Sequence, residues 1–260
     1  MGYINGSARC NSQLYGGKML MHKSLKSELR IGVIIAALSV FTAPAWGQDF
    51  KTILANPERP QNERALDAVR KPEEMLRFYG VKAGDRVADI MAGRGYYTAI
   101  LSQVVGEKGV VYSANETIRK EFAARFQNPP FANVKLVEGK MDALALPADS
   151  SLDFVFIHLN YHDLAPETRT AMNGRIFAAL KPGGAYGIVD HAAKDGSGNE
   201  VNHTLHRIDK AMVVKEVTGA GFVLVKEGEM LRNPGDPRTE SVFVDRGKSD
   251  RFVLRFEKPR

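Results

Sequence analysis

The run from Arg86 to Gly95, RVADIMAGRG, constrains this chain more than any other stretch. Val87 to Met91 is a short apolar run broken by one acid, Asp89, which predicts a strand. A tight turn bearing Gly93 and Gly95 follows, and then Tyr97, Ile100, Leu101, Val104 and Val105 recur at helical spacing. Gly106 and Gly109 close that helix, and Val110 to Ala114 reads as a second strand ending at Asn115 and Glu116. Strand, glycine turn, helix and strand, with a polar residue about twenty positions past the glycines, is the layout of a dinucleotide-type site. Glycines let the backbone approach a ligand, and the later polar side chain reaches ribose hydroxyls.

An acid at the end of the first strand repels a pyrophosphate and attracts a cationic sulfonium. With that acid in place, the stretch resembles motif I of the class I S-adenosylmethionine-dependent methyltransferases, commonly D-x-G-x-G-x-G. Asp89 takes the acid position, Gly93 and Gly95 the second and third glycines, and Met91 stands where the first would be. The resemblance implies S-adenosyl-L-methionine as cofactor, bound by Asp89, Ala92, Gly93, Arg94, Gly95 and Asn115. Asn115 falls where the family usually has the ribose-binding acid, and an amide can accept from and donate to hydroxyls without charge. Glu116, one residue on, faces the other way on a continuing strand and reads as an exposed residue opening the next helix.

The resemblance runs from about Glu63 to the C-terminus. Leu66, Val69, Met75, Leu76 and Phe78 have roughly helical spacing between Glu63 and Gly80, with Pro72 suited to a helix's first turn. In the resembling enzymes such helices often cover the cofactor; a packing layer over the sheet is the alternative. Thr117 to Phe126 predicts a helix ended by Asn128-Pro129-Pro130, and Val134 to Val137 a third strand. Asp142, in the loop from Gly139 to Leu146, resembles the family residue near the adenine amino group. Leu152 to His158 is a fourth strand, Pro166 to Leu180 a helix stopped by Lys181-Pro182-Gly183-Gly184, and Ala185 to Asp190 a fifth strand. L-K-P-G-G before a strand is typical of the same enzymes.

Alternating strands and helices imply a doubly wound parallel sheet with ligands at the carboxyl ends of its strands. Lys210 to Thr218 predicts a helix ended at Gly219. Phe222 to Glu227 and Phe252 to Phe256 then read as two strands with no helix between them, joined by the exposed loop Arg232 to Glu240. The expected fold is α/β: a Rossmann-like, doubly wound, mostly parallel seven-stranded sheet with an antiparallel C-terminal edge.

Ahead of that domain, Lys23, Lys26 and Arg30 precede an apolar run from Ile31 to Phe41 and then Thr-Ala-Pro-Ala-Trp-Gly, the order of a secretory signal. Cleavage is expected after Gly47 or Ala45, with translation starting at Met21. The apolar run falls short of the roughly twenty residues a spanning helix needs, although an uncleaved anchor is the alternative. Residues 1–47 are thus read as a signal with an upstream extension, 48–62 as an extended lead-in and 63–260 as the methyltransferase-like domain, exported to the bacterial periplasm. Cys10, the only cysteine, lies in the discarded part, so no disulfide or thiol nucleophile is expected. The signal region also carries four of the six net positive charges, which leaves +2, too small an excess to call for a nucleic-acid partner.

The remaining histidines all fall at or after the end of the fourth strand. His158, Tyr161, His162 and Asp163 lie just beyond that strand, and Asp190 with His191 just beyond the fifth, so the fold would gather them at one rim. In the resembling enzymes the loop after the fourth strand faces the transferred methyl group. His162 is therefore the expected base, with Tyr161, His158, Asp190 and His191 lining the acceptor pocket. Ala192 to Asn199 is a candidate lid. His203 and His206 would share a helical face and could join His191 or Asp190 around a metal, yet no tight ligand motif is present and none is expected. The leading function is methyl transfer to a small molecule. The competing one is a non-catalytic envelope ligand- or metal-binding protein on the same fold, because the cofactor is made in the cytoplasm.

Overall fold

The computed structural model describes residues 50–260. The expected signal, its expected cleavage points and the expected Met21 start lie outside the described residues. Among the described residues no helix is long and apolar enough to cross a membrane.

The chain enters through four short helices: α1 (Phe50–Ala55), α2 (Gln61–Arg64), α3 (Asp67–Arg70) and α4 (Pro72–Tyr79). The lead-in is thus not extended throughout, because Phe50, Ile53 and Leu54 recur at i, i+3 and i+4 and give α1 an apolar face. That face packs beside Met75, Leu76 and Tyr79 of α4, with Phe50 wholly inside the core. Pro72 opens α4, where its missing N–H costs nothing.

Then come β1 (Arg86–Ile90), α5 (Tyr96–Val105), β2 (Val110–Asn115), α6 (Lys120–Phe126) and β3 (Val134–Glu138). They are followed by β4 (Leu152–His158), α7 (Pro166–Ala179), β5 (Leu180–His191) and α8 (Asn202–Leu205). The chain ends with α9 (Lys210–Gly219), β6 (Val223–Gly228) and β7 (Arg251–Glu257). Among the described residues seven strands form one sheet in the order β3-β2-β1-β4-β5-β7-β6. Strands β1 to β5 pair in parallel, whereas β7 runs antiparallel to both β5 and β6, as the sequence predicts.

Period-two alternation sorts the core. On one face Ala88, Ile90, Val155 and Ile157 meet Met172 and Ile176 of α7 and Val213 and Val217 of α9. On the other, Val87, Val111, Phe154 and Phe156 meet α1, α4 and the Tyr97, Ile100, Leu101 and Val104 side of α5. Burying each such large apolar side chain contributes about 1.5–3 kcal/mol, which makes both faces stabilising.

Two departures from the sequence reading matter for the site. Helix α6 begins at Lys120 rather than Thr117, leaving Glu116 to Arg119 as a free-standing turn. Lys181-Pro182-Gly183-Gly184 does more than stop α7: it joins β5, because the Gly183 N–H donates to Lys258 O (2.8 Å) and the Lys258 N–H to Gly184 O (3.0 Å). The sheet order reverses at β1, where the chain steps outward to β2 and β3 and then returns to the other side at β4. The carboxyl ends around that switch point form the natural ligand crevice.

Candidate functional site

A cleft of about 780 Å³ opens at the carboxyl ends of β1 and β2. Its floor is the loop between β1 and α5, which turns tightly by placing Met91, Gly93 and Gly95 at φ 54°, 61° and 86°. The two glycines serve different ends. A Cβ on Gly93 would meet nothing closer than 4.0 Å, so its backbone faces open space. A Cβ on Gly95 would lie 2.3 Å from the Phe126 ring, so this glycine is required for the docking of α6. Met91 keeps the left-handed conformation of the glycine it replaces, with the steric strain that implies.

Of the residues expected to hold the cofactor, Gly93, Arg94 and Asn115 line the cleft. Asn115 is already engaged: its Oδ1 accepts from the Gly93 N–H (2.9 Å), which locks the glycine loop onto the end of β2. Ala92 and Gly95 shape the loop without lining the cleft. Asp142 stands away from it, exposed on a 3-10 turn whose backbone carbonyl accepts from Arg175 Nε (2.6 Å). Asp89 is also turned away. It faces α5, buried, and accepts from Thr98 Oγ1 (2.6 Å), which itself bonds Ser113 Oγ (2.7 Å). Burial raises the Asp89 carboxyl to about 7 against the lowering effect of the Thr98 hydrogen bonds. It is therefore a buried anchor of the loop, not a free charge facing a sulfonium.

The walls come from residues the sequence reading set aside. Glu116, Thr117, Arg119, Phe122 and Arg125 line the cleft on one side and Asn160 on the other. Glu116 reaches it because β2 ends one residue earlier, so strict alternation no longer applies. Arg125 is fixed by a bidentate pair with the buried Glu63 (2.5 and 3.0 Å) and by Arg94 O (3.1 Å). The N-terminal helices thus buttress the cleft wall through Glu63 as well as packing on the sheet.

The histidine rim has the opposite character. His162, on the turn after β4, is 3% exposed. Its Nδ1 lies 2.7 Å from Asp190 Oδ1, its backbone N–H donates to Asp190 Oδ2 (2.9 Å) and its Nε2 lies 3.2 Å from Asp163 Oδ1. Burial disfavours its charge, but Asp190 and Asp163 outweigh that and raise the imidazolium to about 10. Asp163 is lowered to about 2: burial opposes the carboxylate and the His162 contacts prevail. A ring held protonated between two carboxylates is not a free base at neutral pH. His191 is buried alongside, 6.0 Å away between ring centroids, and pairs with Ser249 Oγ (2.7 Å). Burial, then Arg251 and His162, lowers it to about 2.

Tyr161 and His158 leave this group. Tyr161 is fully buried; its hydroxyl donates to Glu216 (2.9 Å) and accepts from Asn173 (2.8 Å) beneath the buried Arg169. His158 points to the opposite sheet face, against Tyr97 and Phe156, with a buried Nε2 that has no partner in the protein. Burial, with Arg70 and Arg251 nearby, holds it neutral. Strand alternation separates it from Asp190, which sits on the α7 side. His206 has left helix α8, at φ 54°, so it does not share a face with the exposed His203. Its Nδ1 lies 3.4 Å from Asp163 Oδ1. The proposed lid is tied down: Asp209 accepts from the Gly196 N–H (2.9 Å) and Asn199 from Arg169 (2.6 Å). The loop from Arg232 to Glu240 is likewise pinned, by Arg207 on Asp236 and by Arg232 and Arg238 on the buried Asp250.

Residues 87–184 match the model of a family described as a methyltransferase domain. The ubiquinone/menaquinone biosynthesis C-methyltransferase of Cronobacter sakazakii is 32% identical over 108 residues, 40% of this chain and 42% of that protein. The demethylmenaquinone methyltransferase of Staphylococcus aureus is 31% identical over 113 residues, 43% and 45% respectively. The alignments thus span less than half the length of these curated relatives. Among solved structures, a SAM-dependent methyltransferase from Aquifex aeolicus superposes with a TM-score of 0.56 and 21% identity over 81% of this chain and 98% of that one. An arsenic(III) S-adenosylmethionine methyltransferase from Chlamydomonas reinhardtii does so with a TM-score of 0.54 and 17% identity over 81% and 73%. These structural likenesses establish the fold.

Proposed function

We propose that the chain is a class I S-adenosylmethionine-dependent methyltransferase, which the methyltransferase-domain match over residues 87–184 supports, and that it transfers a methyl group from that cofactor to a small-molecule acceptor. The observation that carries this reading is the cleft itself: Gly93 opens its backbone to about 780 Å³ of space at the sheet's switch point, within the range of small-molecule sites. The cofactor supplies an electrophilic methyl on a sulfonium. On this reading Gly93 and Arg94 bear on the cofactor through the loop, and Phe122 offers an apolar wall. Asn115 is committed to the loop, so the exposed Glu116 carboxylate takes over hydrogen bonding to ribose hydroxyls.

His162 then orients the acceptor side of the site and removes no proton, because its imidazolium is clamped by Asp190 and Asp163. Transfer relies on positioning, which suits an acceptor already nucleophilic at neutral pH. One relative is named a ubiquinone/menaquinone biosynthesis C-methyltransferase and another a demethylmenaquinone methyltransferase, which favours electron-rich aromatic acceptors such as hydroquinones. Incubation with cofactor labelled in its methyl group and a panel of hydroquinones, phenols, amines and thiols tests the reading. Label in one acceptor class supports transfer; tight cofactor binding with no label in any class favours the non-catalytic binding protein, for which the closed histidine rim argues.

We place the protein beyond the inner membrane of a bacterial cell, on the basic, apolar and small-residue succession from Lys23 to Gly47. Mass spectrometry of the natural protein is expected to find an N-terminus at Gln48 or Trp46. An intact start at Met1 or Met21 would rule out cleavage.

A further inference from the structure

Beside the cleft, two imidazole nitrogens from distant parts of the chain aim at one carboxylate oxygen. His162 Nε2 lies 3.2 Å and His206 Nδ1 3.4 Å from Asp163 Oδ1, and all three atoms lie within 4.8 Å of one another. An ion bound about 2.0–2.2 Å from nitrogen and oxygen donors spaces neighbouring donors about 3.0–3.5 Å apart. The two measured separations are edges of such a polyhedron.

The surroundings are built as they are around a metal. A ligating histidine almost always donates its second ring N–H to a carboxylate, which fixes its tautomer and orientation. His162 Nδ1 does so to Asp190, at 2.7 Å, and Asp190 is itself wholly buried and held by the His162 and His191 backbone N–H groups. Asp163 is braced through its other oxygen by Asn160 Nδ2 (3.1 Å), and His206 by the Phe243 ring (4.4 Å between centroids). Two carboxylates, one in the donor set and one behind it, match the charge of a divalent ion. The Asp163 and His206 side chains are 35% and 28% exposed, so further coordination positions open to solvent, as in sites that bind water or a substrate. Two histidines and one carboxylate without a thiolate suit a divalent first-row transition ion.

We propose that His162, Asp163 and His206 form a binding site for one divalent transition-metal ion of the zinc type, oriented by Asp190. This site needs neither the glycine loop nor the cofactor, although His162 also belongs to the acceptor side in the methyl-transfer reading. Asn160 nevertheless belongs to both regions, bracing Asp163 while lining the cleft. An ion here would sit next to the cleft, within reach of an oxygen-bearing acceptor.

The test is titration of the tag-free, metal-stripped full chain with zinc by calorimetry and with cobalt(II) by visible absorption. One ion per chain is expected, with cobalt giving d–d bands of nitrogen and oxygen ligation. His206→Asn keeps a residue tolerated at positive φ and is expected to weaken zinc at least ~10-fold. Asp190→Asn should cost about 10- to 100-fold, the usual effect of losing a carboxylate behind a ligating histidine. His203→Gln, on exposed neighbouring helix, should change nothing. Circular dichroism establishes that each variant is folded. Absence of stoichiometric zinc binding, unchanged affinity in folded His206→Asn, or loss of affinity in His203→Gln would each overturn the site.

Discussion

The cleft at the ends of β1 and β2 and the histidine rim at the ends of β4 and β5 lie along one sheet edge yet solve opposite problems. In the cleft, the Gly93 backbone and the exposed Glu116 side chain face open space. At the rim, polar groups face one another: His162 meets two carboxylates, His191 meets Ser249, and Tyr161 meets Glu216 and Asn173. The cause is local. The loop of Met91 to Gly95 turns by positive φ and puts a glycine where the cleft opens, whereas β4 and β5 deliver long side chains into a packed layer. Richness in titratable residues therefore does not mark the place where the cleft opens.

If the rim is structural in this sense, the largest stability loss should come from its support. Arg169 is fully buried, with Nε and Nη2 on Glu216 (2.8 and 2.7 Å) and Nη1 on Leu164 O (2.6 Å). Arg169→Ala leaves Glu216 and the Tyr161 network uncompensated and should cost about 3–5 kcal/mol in denaturant unfolding. A loss under ~1 kcal/mol would mean the network is not a stabilising unit.

Next in size is a prediction on the cleft side. Gly95→Ala meets the Phe126 ring and adopts φ 86° with a Cβ, and should cost about 1–3 kcal/mol by overpacking and strain. Gly93→Ala, facing open space, should show only the backbone part of that cost, so the difference between the two glycines is the sharper readout.

Asp89 gives a pH signature that separates the loop's buried anchor from its open face. Its folded-state value, near 7, lies above the ordinary 3.8. Its contribution is therefore complete below about 3.8 and lost as pH rises through about 7, with a slope up to about 1.4 kcal/mol per pH unit. Arg70, which favours the carboxylate, and Tyr97 are the nearby titratable groups. Asp89→Asn should flatten the unfolding free energy across that window; an unchanged slope would remove Asp89 as its source. The smallest effect is expected from Met91→Gly: relief of φ 54° is offset by glycine's added chain entropy and by loss of the Met91 side chain packed against the core, so the net change in unfolding free energy should stay within about 1 kcal/mol.

The comparison also explains what the sequence made legible. Strand alternation, the glycine turn and the unconnected final strand pair are written in local pattern, and the seven strands with their antiparallel edge follow from them; their order in the sheet comes from the structure. The walls of the cleft are not. Glu116 escaped because its direction depends on β2 ending at Asn115, and Arg125 because its position depends on Glu63, far away in sequence. Phe50, Ile53 and Leu54 did carry a helical signal, masked by the prolines that follow. At the rim, sequence spacing paired His203 with His206. The left-handed turn at His206 breaks that pairing and sends its ring to Asp163 instead. Whether a carboxylate beside a histidine makes it a base or holds it charged is a matter of tertiary distance.

The most direct measurement is calorimetric titration of the full chain and of Glu116→Ala with S-adenosylmethionine. Glu116 is exposed and forms no part of the core, so the variant should unfold as the unmodified protein does. The account predicts one cofactor per unmodified chain and at least ~10-fold weaker binding in Glu116→Ala, the loss of a charge-assisted hydrogen bond to a hydroxyl. No binding to the unmodified chain, or equal affinity in the two proteins, would contradict it.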